Sequence, residues 1–475
     1  MRITNYLLKY LLDENTTLLL NTISGAIDLV DATTASLIVP GDSIDPQSTK
    51  LPYKDLLNRG YIFESKKDEM ELVARYTSIQ QTGAQASAVR NYTICPTMGC
   101  NLRCTYCFEQ DDMHRLHDKM TKEQIDSIFS LIEHDLQEVS HTSTAPQFSV
   151  SLYGGEPLLP ENYDLVSYIL SMAHEHCLQV RIITNGISIQ QFLSLLQQYD
   201  NIAVQVTLDG DKSTHDKRRI SAAGKGTFDR IVENVNLLAH AHIQTHLRIN
   251  IDQDNVDGLS SLISFIRASE WMDDDYIVPY VAPVFKYRKG VDDSMSEGDL
   301  LAQILAVEPH LGSSDAAIKH ISAPCINYVQ NLFTFTQTVK PWKTSYCEAT
   351  SGCNLVFTPN GSVTTCLMLA GRNSHQIGSF DQTGVHINQI ALDKWTKRNV
   401  LSLEKCRFCK YALFCGGGCP VAAIDVNGGI DCPLCSDIEK VLRVFVASIS
   451  PRLLGQSNSQ PVWCCSRFLE LRKDA

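Results

Sequence analysis

The chain is expected to be an α/β protein with a parallel sheet flanked by helices and a cysteine-rich C-terminal domain. Three observations lead there. Runs rich in β-branched residues alternate with segments of helical period through the middle of the sequence. Those runs end on Gly, Asn or Asp clusters. Cysteine is abundant, 17 in 475 residues, and most of it falls into two spaced arrays.

The elements follow in order. Residues 18–27 predict a strand, a turn at Asn21 and Gly25, and a second strand. Residues 55–63 predict a helix that stops at Gly60 and a short strand. Residues 1–85 thus form a small α+β module. Thr121 with Gln124 makes a capping box, and Ile125, Ile128, Phe129 and Ile132 supply one apolar helix face. Strands are predicted at 147–153, 180–184, 203–208 and 246–251. A helix starts at Thr227, with Phe228, Ile231, Val232, Val235 and Leu238 on one side. This repetition implies a parallel sheet with helices outside, and functional loops at the strand C-terminal ends. Periodicity does not separate a partial barrel from an open sheet.

Composition narrows the class. The chain has 44% apolar and 20% charged residues, as in ordinary globular proteins. No segment reads as a signal peptide or a membrane span, and the apolar stretch at 6–20 is broken by Asp13, Glu14 and Asn15. A cytoplasmic protein with no membrane partner is expected. An odd cysteine count in a large chain points to metal binding, not to a disulfide scaffold. The net charge of −12 argues against a nucleic-acid partner.

Cys100, Cys104 and Cys107 are spaced C-x3-C-x2-C. Three thiolates from one tight loop can hold three irons of a cubane 4Fe–4S cluster and leave the fourth open to a small molecule. A structural zinc site would use four ligands. Residues 95–109, with the aromatic Tyr106 before the third cysteine, resemble the cluster loop of radical S-adenosylmethionine (SAM) enzymes. The resemblance implies a partial (β/α)6 TIM-like barrel over residues 86–310. It also implies that SAM chelates the open iron and is cleaved reductively to a 5′-deoxyadenosyl radical. Gly154-Gly155-Glu156-Pro157, 47 residues after Cys107 at a strand end, resembles the stretch lying against the SAM amino group. Asn185 resembles the turn near the nucleoside. Thr207 is expected at the ribose and Arg219 at the carboxylate, with Arg218 the alternative.

The second array is Cys347-x5-Cys353-x12-Cys366, then Cys406-x2-Cys409-x5-Cys415-x3-Cys419, then Cys432 and Cys435. It resembles the SPASM domain of radical SAM enzymes that modify peptides and proteins, here over 346–440 after a linker at 311–345. By that resemblance Cys347, Cys353, Cys366 and Cys419 hold one auxiliary 4Fe–4S cluster. Cys406, Cys409, Cys415 and Cys432 hold another, with Cys435 as the alternative last ligand. The x3 glycines are expected to turn backbone N–H groups toward sulfur. Cys95, Cys177, Cys325, Cys435, Cys464 and Cys465 are left as buried or free thiols. A helical tail is expected over 441–475.

The N-terminal module resembles segments of peptide-modifying radical SAM enzymes, some winged-helix-like, that bind a leader peptide at a sheet edge. The alternative is a structural extension packed on the barrel. The reading is therefore a radical SAM maturase with SAM and three 4Fe–4S clusters. It would act on a precursor peptide with a leader sequence and draw electrons from a flavodoxin- or ferredoxin-type donor. The product is a thioether, a carbon–carbon crosslink or another modification. An anaerobic sulfatase maturase is the nearest alternative. Those enzymes carry an aspartate after the third auxiliary cysteine, where this chain has Leu367. A multi-cluster electron-transfer protein is the alternative of another class, and the residues at 154–157 and Asn185 argue against it.

Overall fold

The computed structural model describes residues 1–45, 51, 53–85, 89–109, 118–139, 147–288, 290–333, 342–372 and 374–455. Its centre is a run of parallel strands laid down in sequence order: Val89–Ile94, Gln147–Leu152, Gln179–Thr184, Ile202–Thr207, Gln244–Ile251 and Ile277–Pro283. A short seventh, His320–Ile321, pairs in parallel with Tyr280 and Val281. Parallel neighbours require crossovers, and helices such as Lys122–Val139, Tyr163–Glu175, Phe228–His240 and Leu259–Ala268 supply them. The predicted strands are present within two residues of their expected ends.

Local chemistry sets the helices. Thr121 N donates to Gln124 Oε1 at 3.0 Å, and Gln124 N donates to Thr121 Oγ1 at 3.2 Å. Ile125, Ile128, Phe129 and Ile132 are fully buried against the sheet. The Phe228–His240 helix starts where expected but is capped differently. Asp216 Oδ1 accepts from the backbone N–H groups of Thr227 and Phe228 at 2.7 and 2.8 Å. This frees the Thr227 hydroxyl to donate to the Arg219 carbonyl at 2.8 Å. Val232 is half-buried, at the edge of the apolar stripe.

The expected boundaries do not divide the structure. The 311–345 segment contains His320–Ile321, a strand of the barrel sheet, and the helix Pro324–Phe333. The first C-terminal strand, Asn354–Phe357, pairs in parallel with Val89–Ile94. Ser362–Thr364, Gly378–Asp381 and Gly384–Ile387 continue the same sheet antiparallel, to 11 strands. Asn91 Nδ2 donates to Asn354 Oδ1 at 2.7 Å across this junction. The helix Ile438–Leu454 lies on Glu297–Val307, with Lys440 bound to Asp299. Cys464 and Cys465 lie outside the described residues.

The N-terminal residues form the antiparallel meander Leu7–Leu11, Thr16–Asn21 and Ile27–Asp31 with flanking helices. Gly60 has φ +74° and ends the turn after helix Tyr53–Asn58. The module packs on the C-terminal region. The Tyr76 and Trp342 rings stack at 3.9 Å, and Tyr6, Leu72 and Val73 share a core with Val400, Leu403 and Cys406. Thr22 Oγ1 donates to the Lys410 carbonyl at 2.7 Å. No helix among the described residues is long and apolar enough to cross a membrane.

Candidate functional site

A cavity of about 490 Å³ opens at the C-terminal ends of the barrel strands. Cys100, Cys104, Tyr106, Cys107, Gly154, Gly155, Glu156, Asn185, Thr207 and Arg219 all line it. Residues far apart in sequence therefore converge on one cavity, and several of them also hold the site together.

The cluster loop is held from two sides. Its short strand Leu102–Cys104 pairs antiparallel with Arg219–Ser221, which sets Cys104 opposite Arg219. On the other side Gly155 N donates to the Thr97 carbonyl at 3.2 Å and Glu156 N to the Gly99 carbonyl at 2.9 Å. A Cβ on Gly154 would meet the Thr97 carbonyl, and one on Gly155 the carbonyls of Met98 and Gly99. Gly154 also has φ +110°. The missing side chains let the strand end approach the cluster loop.

Glu156 lies on the cavity wall beside the cluster loop. Its carboxylate is buried and accepts from Thr184 Oγ1 at 2.6 Å, Leu158 N at 2.8 Å and Asn185 N at 2.6 Å. It shapes the next strand end. Asn185 in turn donates from Nδ2 to Asn101 Oδ1 at 2.7 Å, which ties that strand end to the loop. The Tyr106 hydroxyl is also committed to protein. It donates to Asp209 and accepts from Arg219 Nη1 at 2.8 Å and Asn250 Nδ2 at 3.1 Å.

The two adjacent arginines separate cleanly. Arg218 forks onto Asp252 at 2.9 and 3.1 Å and lies over the Tyr106 ring. Arg219 lines the cavity and Arg218 does not, while the Nε atoms of both are buried with no hydrogen-bond partner among the described residues. An unpartnered guanidinium N–H fits a carboxylate. Asp252 is thereby a structural partner, and Asp254 is bound to Lys286 at 2.8 Å.

The thiols are shaped by burial and by one another. Cys100 is pushed up to about 12, by burial first and then by Glu156. Cys107 is raised by burial, Glu109 and Cys104. Burial raises Cys104 too, against the pull of Arg219. Glu109, two residues past Cys107, is buried and pushed up to about 8. A cubane binds each thiolate to a different iron, so the sulfurs need not converge on one point. No three Cys, His, Asp or Glu side chains among the described residues gather tightly enough for a single metal ion. Three thiols around one cavity fit a cluster better than a zinc ion.

The C-terminal thiols fall into two groups. Cys347 and Cys419 raise Cys366, and Cys347 raises Cys419 to about 11, after burial in both cases. Cys353 lies at the start of Asn354–Phe357, with Sγ 3.9 Å from the Ser351 carbonyl, on a second cavity of about 760 Å³. In the other group burial, then Cys415, Cys409 and Cys435, raise Cys406 to about 12, and burial, then Cys415 and Cys435, raise Cys409. Of the two candidate last thiols, Cys432 and Cys435, Cys435 is the one whose charge Cys406 and Cys409 feel. The chain turns between them: Leu434 N donates to the Gly417 carbonyl, which brings the next residue back toward Cys415.

Gly416, Gly417 and Gly418 have φ of +71°, +87° and +76°. A Cβ there would strike the Ser345 carbonyl, Leu403 or the Leu434 carbonyl. Between the groups sits Arg398, 2% exposed. It donates to the carbonyls of Gly418, Gly417, Cys432 and Ile430 at 2.9, 3.0, 3.1 and 2.7 Å. It has no carboxylate partner among the described residues, and the thiols of Cys419, Cys347, Cys406 and Cys415 are the acidic groups it feels.

Sequence reasoning missed the cavity's inner wall: Arg181, Gln205, Arg248, Asn250 and Tyr280. A signal was present. Parallel strands covered on both faces should be nearly all apolar. Here Arg181, Gln205, His246, Arg248 and Asn250 interrupt them at alternate positions, which marks one face as a polar lumen. Leu367 and Met368, directly after Cys366, also line the cavity.

Comparison with known proteins agrees with this geometry. Residues 94–266 match the family model of the Radical SAM superfamily. The chain is 21% identical to a cysteine-type anaerobic sulfatase-maturating enzyme of Clostridium novyi (strain NT), over 67% of this chain and 84% of that one. Its fold resembles native anSMEcpe with bound AdoMet, with a TM-score of 0.57 and 16% identity over 78% of this chain and all of that one. It also resembles Streptococcus suis SuiB bound to precursor peptide SuiA, with a TM-score of 0.53 and 16% identity over 89% of this chain and 97% of that one.

Proposed function

The chain is a radical SAM enzyme, and we propose that it is a maturase that modifies a ribosomally made precursor peptide by hydrogen abstraction. The product is a thioether, a carbon–carbon bond or another post-translational change. One observation carries this reading. Leu367 and Met368 follow Cys366 directly and form part of the same cavity wall as Cys100, Cys104 and Cys107. A substrate carbon in the cavity is therefore next to an auxiliary thiol group, which gives a surplus electron a way out.

Cys100, Cys104 and Cys107 would hold a 4Fe–4S cluster, which would supply the electron for reductive cleavage of SAM, drawn from a flavodoxin- or ferredoxin-type donor. Arg219 binds the SAM carboxylate through its unpartnered Nε. The backbone at Gly154 and Gly155 lies beside the amino group, and Thr207 beside the ribose. Tyr106 and Asp209 fix Arg219, and Glu156 and Asn185 hold the strand ends against the cluster loop. Cys347, Cys353, Cys366 and Cys419 hold one auxiliary cluster, and Cys406, Cys409, Cys415 and Cys435 the other. Residues 1–85 take the leader peptide at an edge of the meander.

The test is anaerobic reconstitution with SAM, a reductant and the peptide encoded beside this gene. Formation of 5′-deoxyadenosine with a loss of two hydrogens from the peptide supports the reading. Absence of 5′-deoxyadenosine with the cluster intact would sink it. A second reading, an anaerobic sulfatase maturase, is favoured by the extent of the Clostridium relative. It predicts an aldehyde from a sulfatase-derived Cys or Ser peptide. The apolar pair Leu367 and Met368, where those enzymes place an aspartate, speaks against it.

A further inference from the structure

The inner wall of the reaction cavity carries two arginines that the proposed mechanism does not use. Arg181 projects from Gln179–Thr184 and Arg248 from Gln244–Ile251, and both line the 490 Å³ cavity. Arg248 donates from Nε to Asn250 Oδ1 at 2.7 Å. Neither arginine has a carboxylate in ion-pair range among the described residues. The two acidic residues on the wall, Glu109 and Glu156, stand with the cluster loop, and Glu156 is committed to three internal donors. The rest of the inner wall is neutral: Gln205, Asn250 and Tyr280, whose hydroxyl donates to Gln205 Oε1 at 2.8 Å.

The cofactors do not offset this charge. SAM carries one net positive charge, and an oxidised cubane with three thiolates carries one net negative charge, so the two cancel. Arg219 already has Asp209 and Tyr106 beside it. Two guanidinium groups, Arg248 half-buried and Arg181 more exposed, then line a space left for the substrate, where a charge-assisted hydrogen bond to a carboxylate is available to each.

We propose that the cavity receives a carboxylate of the peptide substrate and that Arg181 and Arg248 hold it, placing the neighbouring residue at the site of hydrogen abstraction. This rests on the peptide-maturase reading and names its substrate class: an acidic peptide segment. The carboxylate comes from an Asp or Glu side chain or from a free C-terminus.

The test is a binding titration on the full-length, cluster-loaded, SAM-bound enzyme, with no turnover required. Three N-acetylated glycine–X–glycine tripeptides serve as probes: X aspartate with an amidated end, X asparagine with an amidated end, and X asparagine with a free C-terminus. One carboxylate probe is expected to bind about tenfold more tightly than the neutral one, the scale of one charge-assisted hydrogen bond. The aspartate probe points to a side chain and the free-acid probe to a terminus. Arg181→Gln and Arg248→Gln should each remove most of the difference, and Arg248→Lys should keep part of it. Equal binding of all three probes overturns the proposal. So does a preference that survives both substitutions. So does an equal loss of SAM affinity in the variants, which would assign the arginines to the cofactor. Failure of the maturase reading shows up separately, as SAM cleavage without any peptide product.

Discussion

Arg398 Nη1 donates to the Gly418 carbonyl at 2.9 Å, in the same loop whose three glycines all have positive φ. The guanidinium both ties that loop and places a buried cation between two thiol groups. Arg398→Gln should leave four carbonyls without their charged donor, at roughly 1.5–3 kcal/mol per lost bond. Auxiliary-cluster iron should fall while the Cys100–Cys107 cluster persists. Iron counting with electron paramagnetic resonance on the reduced protein checks this, and a full iron complement would refute it.

Cys435→Ala should cost about a third of the bound iron if three cubanes are present, because each cubane holds four irons. Cys432→Ala should leave the count nearly unchanged. The contrast is the point, since the opposite pattern would restore Cys432 as the ligand.

Arg219→Lys keeps a charge but loses the fork aimed into the cavity. SAM affinity should drop about tenfold, equivalent to roughly 1.4 kcal/mol. Arg218→Lys should instead lower the melting temperature with little change in SAM affinity, because Arg218 is spent on Asp252. Equilibrium dialysis and thermal melts on both variants separate the roles.

Gly155→Ala sets a methyl against the Met98 and Gly99 carbonyls. Backbone cannot give way cheaply, so the change should cost about 1–3 kcal/mol and shift the cluster loop. Weak visible absorbance after reconstitution, with an otherwise native circular dichroism spectrum, is the expected signature.

His215 makes the fold sensitive to acid. Its Nδ1 accepts from Asp209 N at 3.2 Å and its Nε2 lies 3.0 Å from Thr227 Oγ1, which in turn bonds the Arg219 carbonyl. Burial, aided by Arg219 and Arg218, lowers its pKa from 6.5 to about 3. The unfolded chain therefore takes up a proton below about 6.5 that the folded chain refuses until about 3. Stability from this site is full above the higher value and declines as pH falls through that window. Melting temperatures at pH 7.5 and 5 should differ more for the wild type than for His215→Gln.

Much of this was legible in the sequence because it is local. Thr121 and Gln124 announce a helix start from four residues, and the strand cores are set by β-branched runs. The Cys100, Cys104 and Cys107 spacing is equally local, and so is the glycine pair. What was not legible depends on which surface meets which. Gly154 and Gly155 need space, but sequence does not say that the neighbour is the Thr97–Gly99 backbone. Glu156 is acidic in any reading, yet three donors brought by the next strand decide that it is structural. Cys432 and Cys435 differ only through the turn at Leu434. In the 311–345 segment the two-residue strand has no periodicity to detect, whereas the helix Pro324–Phe333 carries a legible apolar face at Ile326, Val329 and Phe333 that the linker reading passed over.

The pairing of Asn91 with Asn354 spans 263 residues. At a synthesis rate of about 5–20 residues per second, the first barrel strand waits roughly 13–50 s on the ribosome before its outer neighbour emerges. Throughout that time Val89–Ile94 presents an open edge, with Arg90, Asn91 and Thr93 among its polar side chains. The time the nascent chain spends with that edge open is thus set by the same strand junction that later joins the barrel to the cysteine-rich C-terminal region.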